Sequence, residues 1–108
     1  MPKYLVMNSA YGSNDIGIMT ATDKMEAMIK FTENFKDEYG NYQTYGFFID
    51  PFDKEENEPE NVRKAIIKYL TEGEGFHYME AYPIDDNIDN HILEHNSESG
   101  YIFKRIGE

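Results

Sequence analysis

Two sets of apolar residues at helical spacing, lying among runs of strand length, limit this chain more than any other feature. Met25, Met28, Ile29, Thr32 and Phe35 form one stripe, and Val62, Ala65, Ile66, Tyr69 and Leu70 the other. Residues recurring every three or four positions share one helix face, and that face must be buried against another element. The remaining runs supply the second layer. Tyr4 to Asn8, Ile16 to Thr20, Gln43 to Asp50, Phe76 to Tyr82 and Tyr101 to Ile106 are short and rich in aromatic or branched residues, and each reads as a strand.

Local punctuation sets the expected boundaries. Tyr11-Gly12-Ser13-Asn14-Asp15 is turn chemistry and joins the first two strands as a hairpin. Thr22 or Asp23 caps the first helix, with Asp23 and Glu26 at capping-box spacing, and Gly40 predicts its end near Tyr39. Asn57 or Glu58 opens the second helix, Pro59 suits its first turn, and Gly73 closes it. Lys64 and Lys68 lie towards its C-terminus, where the helix dipole favours positive charge. Ile84 to Ser99 is polar, with a helical turn expected at Ile88–Glu94. The predicted architecture is a single α+β domain over residues 1–108. It has a four- to five-stranded, mostly antiparallel or mixed sheet with two helices on one face, in ββαβαββ-like order.

The chain contains no cysteine, which excludes disulfides, thiolate catalysis and cysteine-ligated zinc. The opening Met1-Pro2-Lys3-Tyr4-Leu5-Val6-Met7 has no apolar stretch of signal-peptide length, and no run approaches the roughly 20 residues that span a bilayer. A cytoplasmic location follows as the expectation, the host cytoplasm if the protein is viral.

The net charge of −11 is unevenly placed. Asp50, Asp53, Glu55, Glu56, Glu58 and Glu60 face only Lys54 along the chain, and from Tyr69 to Phe103 there is neither lysine nor arginine. That second stretch holds Glu72, Glu74, Glu80, Asp85, Asp86, Asp89, Glu94 and Glu98. Exposed like charges repel, by up to about 1 kcal/mol per close pair at low salt. Acidity of this degree either serves solubility alone or marks a surface for a cationic partner. On the second reading the partner-binding residues are Asp50, Asp53, Glu55, Glu56, Glu72, Glu74, Asp85, Asp86, Asp89, Glu94 and Glu98, with Tyr78 and Tyr82 as aromatic anchors. Phe52, Phe76 and Tyr101 are interleaved with the acids as further aromatics. Such a surface repels nucleic acid and anionic lipid, so neither is an expected direct partner; self-association stays open.

The chemical motifs are sparse. His91-Ile92-Leu93-Glu94-His95 matches H-x-x-E-H and over these five residues resembles the inverzincin metallopeptidases. On a helix, that resemblance implies zinc on His91 and His95 and a water activated by Glu94; apart from the resemblance, a metal site of another kind would use His91 and His95 with His77 or Glu98. The family's downstream ligand has no counterpart, because the chain ends 13 residues later. Asp85, Asn87 and Asp89 are spaced like the opening of an EF-hand calcium loop. Asn90 stands where the turn glycine belongs, and Asn96 where the bidentate glutamate belongs. Phosphate-binding glycine loops and nucleophile-elbow serines are absent. Neither a cofactor nor a catalytic residue is predicted.

The opening strand-turn-strand followed by Ala21-Thr22-Asp23-Lys24-Met25-Glu26-Ala27 resembles the start of many small phage and mobile-element proteins. The leading expectation is a non-enzymatic acidic protein, a phage or mobile-element inhibitor docking on the basic, nucleic-acid-binding surface of a host or defence protein. The alternatives are a small metal-binding protein or metal-dependent hydrolase using His91, Glu94 and His95, and a small-ligand-binding module.

Overall fold

The computed structural model describes residues 2–10, 15–84, 91–96 and 100–105, the last two segments as strand backbone. Strand β1 (Lys3–Asn8) pairs antiparallel with β2 (Asp15–Thr20), with Leu5 opposite Ile18 and Val6 opposite Gly17. On its other side β1 pairs antiparallel with β3 (Met79–Ile84), Val6 lying opposite Ala81. These strands make a three-stranded antiparallel sheet with β1 at its centre. The order continues as β3-β1-β2-β4-β5, where β4 is His91–Asn96 and β5 is Gly100–Arg105. β4 meets β2 through Ile16–Leu93, Gly17–Ile92 and Ile18–His91.

Helices α1 (Lys24–Asn34), α2 (Pro59–Glu72) and the short α3 (Glu74–Tyr78) all fall between β2 and β3. The order is therefore ββαααβββ, not ββαβαββ. Every strand pairing among the described residues is antiparallel, so the mixed alternative falls away. The placing of two helices side by side on one face is also corrected. α1 lies across β1, β2 and β3, whereas α2 packs against α1 and α3.

Caps set the helix starts. The Asp23 carboxylate accepts the Glu26 backbone N–H at 2.8 Å, satisfying one of the first-turn donors that a helix leaves unpaired. Pro59 fills the first position of α2, where its missing N–H costs nothing, and Gly73 caps the end. The core joins both layers: Val6, Met19, Ile29, Phe31 and Ile66 are at most 1% exposed. Full burial of side chains this large stabilises by about 1.5–3 kcal/mol each. One polar network crosses this interior. Buried Asn8 accepts from the Ala10 N–H at 3.1 Å and donates to the Tyr69 hydroxyl at 3.4 Å, and that hydroxyl donates to the Tyr45 carbonyl. It ties β1 to α2 and to the turn at residues 44–47.

Before β4, three segments depart from the sequence expectation, each because local hydrogen bonding wins. α1 stops at Asn34 instead of near Tyr39. Beyond it the Asp37 carboxylate accepts the backbone N–H groups of Tyr39 and Asn41, both at 2.9 Å, and the Asn41 amide at 3.1 Å, closing a loop instead of a further helical turn. These bonds, the Asn41 N–H first, hold the Asp37 carboxyl below its ordinary value against a smaller opposing effect of burial. The strand expected from Gln43 to Asp50 is a turn and irregular chain, because Gly46 takes φ +80° and Phe47 N–H returns to the Thr44 carbonyl at 3.1 Å. The strand expected from Phe76 to Tyr82 begins as helix α3 and becomes β3 only at Met79.

Candidate functional site

Acidic residues from both charge-rich stretches, Asp53, Glu55 and Glu56 from one and Glu72 and Glu74 from the other, meet along α2. Asn61, Ala65, Lys68 and Glu72 succeed one another at steps of four, three and four, so they lie on one face of that helix. The chain from Gly46 to Glu56 runs beside this face. Between them lies an open groove in two halves. One, of about 500 Å³, is lined by Phe48, Ile49, Asp53, Glu55, Glu56, Asn61 and Ala65. The other, of about 480 Å³, is lined by Gly46, Phe47, Lys68, Glu72, Glu74 and His77 among others. Phe48 and Ala65 border both halves, so the two adjoin there.

The loop wall is held by its own polar groups. Asp50 accepts the Phe52 N–H at 2.9 Å, and Asp53 accepts the Glu56 N–H at 3.1 Å. Asn57 donates to the carbonyls of Asp50 and Asp53, at 2.7 and 2.6 Å. Glu56 accepts the Asp50 N–H at 3.2 Å, and Asn61 fastens the loop to α2 by donating to the Glu55 carbonyl at 2.8 Å. Asp50, Asp53 and Glu56 therefore build the wall as well as charge it. Gly46 belongs to the same design: a Cβ there would lie 2.9 Å from the Glu74 Cβ, so the turn and the start of α3 approach too closely for another residue.

With the backbone satisfied locally, neighbouring aromatics divide their roles. Phe47 is buried against Tyr69 and Tyr42, at ring separations of 5.4 and 5.0 Å. Phe48 is 79% exposed and Phe52 92% exposed. Large apolar side chains left this open, beside carboxylates, make a surface suited to a partner. Among the described residues the ion pairs Arg63–Glu26 and Lys64–Glu60 involve helix residues, and neither uses an acid of the groove. Lys68 is the basic side chain in the groove lining.

The structure gathers Asp53, Glu55, Glu56, Glu72 and Glu74 around one groove, with Asp50 in its loop wall. It places the two tyrosines elsewhere. Tyr82 is exposed on β3, between the inward residues Met79 and Ala81 on one side and Pro83 on the other, so it points away from the helices. Tyr78 ends α3, half-buried, its carbonyl accepting the Ser9 N–H at 3.0 Å. Asp85, Asp86, Asp89 and Glu98, and with them the calcium-loop pattern, lie outside the described residues. Phe48, Ala65 and Lys68 were missed as site residues. The adjacent Phe47-Phe48 pair is the one signal for them, since two neighbouring aromatics cannot both face inward on an alternating strand.

The zinc-peptidase pattern loses its helical premise. His91–Asn96 is strand β4, not the helical turn expected at Ile88–Glu94, whose first residues lie outside the described ones. Along a strand, positions four apart are separated by about 13 Å, against about 6 Å on a helix. Among the described residues, no three His, Asp or Glu side chains converge as a metal site requires. Also among those residues, no helix is long and apolar enough to cross a membrane. No protein-family model matches the chain, and no similar curated protein or solved structure was found.

Proposed function

We propose that this protein is a non-enzymatic binding module that docks its acidic groove on a basic protein surface, in the manner of an inhibitor covering a nucleic-acid-binding site. The observation that carries this reading is the juxtaposition of exposed Phe48 with the carboxylates of Asp53, Glu55 and Glu56 on one side and Glu72 and Glu74 on the other. Charge of one sign steers a cationic partner to the surface, and exposed aromatics supply the contact energy once it arrives. A phage or mobile-element origin, with a host or defence protein as target, is the biological setting this reading favours.

The test uses Glu55, Glu72 and Glu74, whose side chains make no hydrogen bond that holds the loop. The tagged protein and its Glu55→Gln/Glu72→Gln/Glu74→Gln variant are used to capture partners from host lysate, and captured proteins are identified by mass spectrometry. The wild type is expected to retain nucleic-acid-binding proteins that elute as salt rises from about 0.05 to 0.5 M and that duplex DNA displaces. The variant should retain far less. Capture indifferent to salt, to DNA and to the three substitutions would refute the proposal.

A further inference from the structure

We infer that the groove accepts a short extended peptide segment in which an apolar side chain lies between two basic ones; this rests on the docking function proposed above and specifies its ligand. The face of α2 from Asn61 to Glu72 is about 16 Å long at 1.5 Å per residue. Its two ends differ from its middle. Asp53, Glu55 and Glu56 surround the Asn61 end, and Glu72 and Glu74 the other. In the middle stand the exposed Phe48 ring and the small Ala65.

Complementarity requires positive charge at both ends of the ligand and an apolar group between. Lys68 sharpens this requirement, because it stands on the same face between Ala65 and Glu72 and repels an unbroken run of basic residues. The order of the groove's features selects the backbone form. An extended chain turns side chains i, i+2 and i+4 to one face, so two basic residues and the apolar one between them meet the acidic ends and Phe48 together. Such a chain rises about 3.3 Å per residue, so basic residues four apart are separated by about 13 Å, close to the span of the acidic ends.

Three labelled peptides test this by fluorescence anisotropy at low salt. The first carries the core Arg-Ser-Phe-Ser-Arg. The second has the same composition with the arginines adjacent and the phenylalanine terminal. The third is helix-stapled, with its arginines eleven residues apart, which places them on one face about 16 Å from each other. The first should bind the wild type about three- to tenfold more tightly than the second, the range that one well-placed aromatic contact supplies. Phe48→Ala should abolish that preference while leaving the circular dichroism melt unchanged. Glu55→Gln/Glu72→Gln/Glu74→Gln should weaken both linear peptides together. Equal binding of the two linear peptides, failure of the first to bind, a preference surviving Phe48→Ala, or tighter binding of the stapled helix would each overturn the inference. Equal binding that still falls in the glutamine variant leaves charge-driven docking standing; binding unaffected by that variant removes both.

Discussion

Replacing Gly17 with alanine tests the tightest point of the core. Gly17 lies in the middle of β2, where glycine otherwise only weakens a strand. Its place is explained by Phe31. A Cβ at Gly17 would lie 2.5 and 2.9 Å from two carbons of that ring and 2.9 Å from the Met19 terminal methyl. Carbon atoms in good contact stand about 3.5–4.0 Å apart, so roughly 1 Å must be opened. Phe31 is wholly buried, with its ring 5.4 Å from that of Phe35, and has little room to retreat. Overpacking of this kind costs about 1–3 kcal/mol. The lower chain entropy of alanine offsets about 0.5–1 kcal/mol of that. Gly17→Ala should therefore lose about 1.2 kcal/mol, the difference between the centres of these two ranges, read by urea denaturation as a lower midpoint with an unchanged slope. In a thermal melt the same loss lowers the midpoint by about 4–8 °C per kcal/mol. Phe31→Leu should relieve the clash, so the double variant should be more stable than the sum of the single losses implies, by at least about 0.5 kcal/mol. Wild-type stability in Gly17→Ala, or strict additivity in the cycle, would refute this account of β2 against α1.

Tyr69→Phe should cost about 1–3 kcal/mol in urea near neutral pH, because the Asn8 amide and the Tyr45 carbonyl lose their shared partner in the interior. The same variant reports on alkaline stability. Burial, the largest cause, pushes the Tyr69 phenol up to about 12 from its ordinary 10. Since the folded value is the higher one, the tyrosine's contribution is whole below pH 10 and drains away as pH rises towards 12. The stability gap between wild type and Tyr69→Phe should narrow across that interval, and a constant gap would contradict the buried placement. Asp23→Ala should lower stability by about 1 kcal/mol through loss of the α1 cap, measured in the same urea series; no change would mean that the Glu26 N–H finds another acceptor.

Much of the framework was legible because it depends on neighbours in sequence. The Asp23 cap, the Pro59 start, the Gly73 stop and the β1–β2 hairpin are set by residues within a few positions of one another. The stripe Val62, Ala65, Ile66, Tyr69 and Leu70 was visible for the same reason, and all of it but the half-buried Ala65 is buried as its spacing implies. Phe31 was not part of the α1 stripe read from the sequence, yet it is wholly buried, because α1 is held between the sheet and α2 and presents more than one face inward. Clustering of charge was visible only as runs along the chain; the meeting of Asp53, Glu55 and Glu56 with Glu72 and Glu74 depends on how the loop folds back on α2.

The amino-acid order by itself determined where helices could begin and which of their faces were apolar, since caps and stripes act over one or two turns. Tertiary structure decided which of the apolar runs beyond the opening hairpin became strands. A strand is completed by hydrogen bonds to a neighbour that its own residues do not specify: Met79 to Ile84 found β1, whereas Gln43 to Asp50 found no such edge and left Phe48 facing solvent beside the carboxylates.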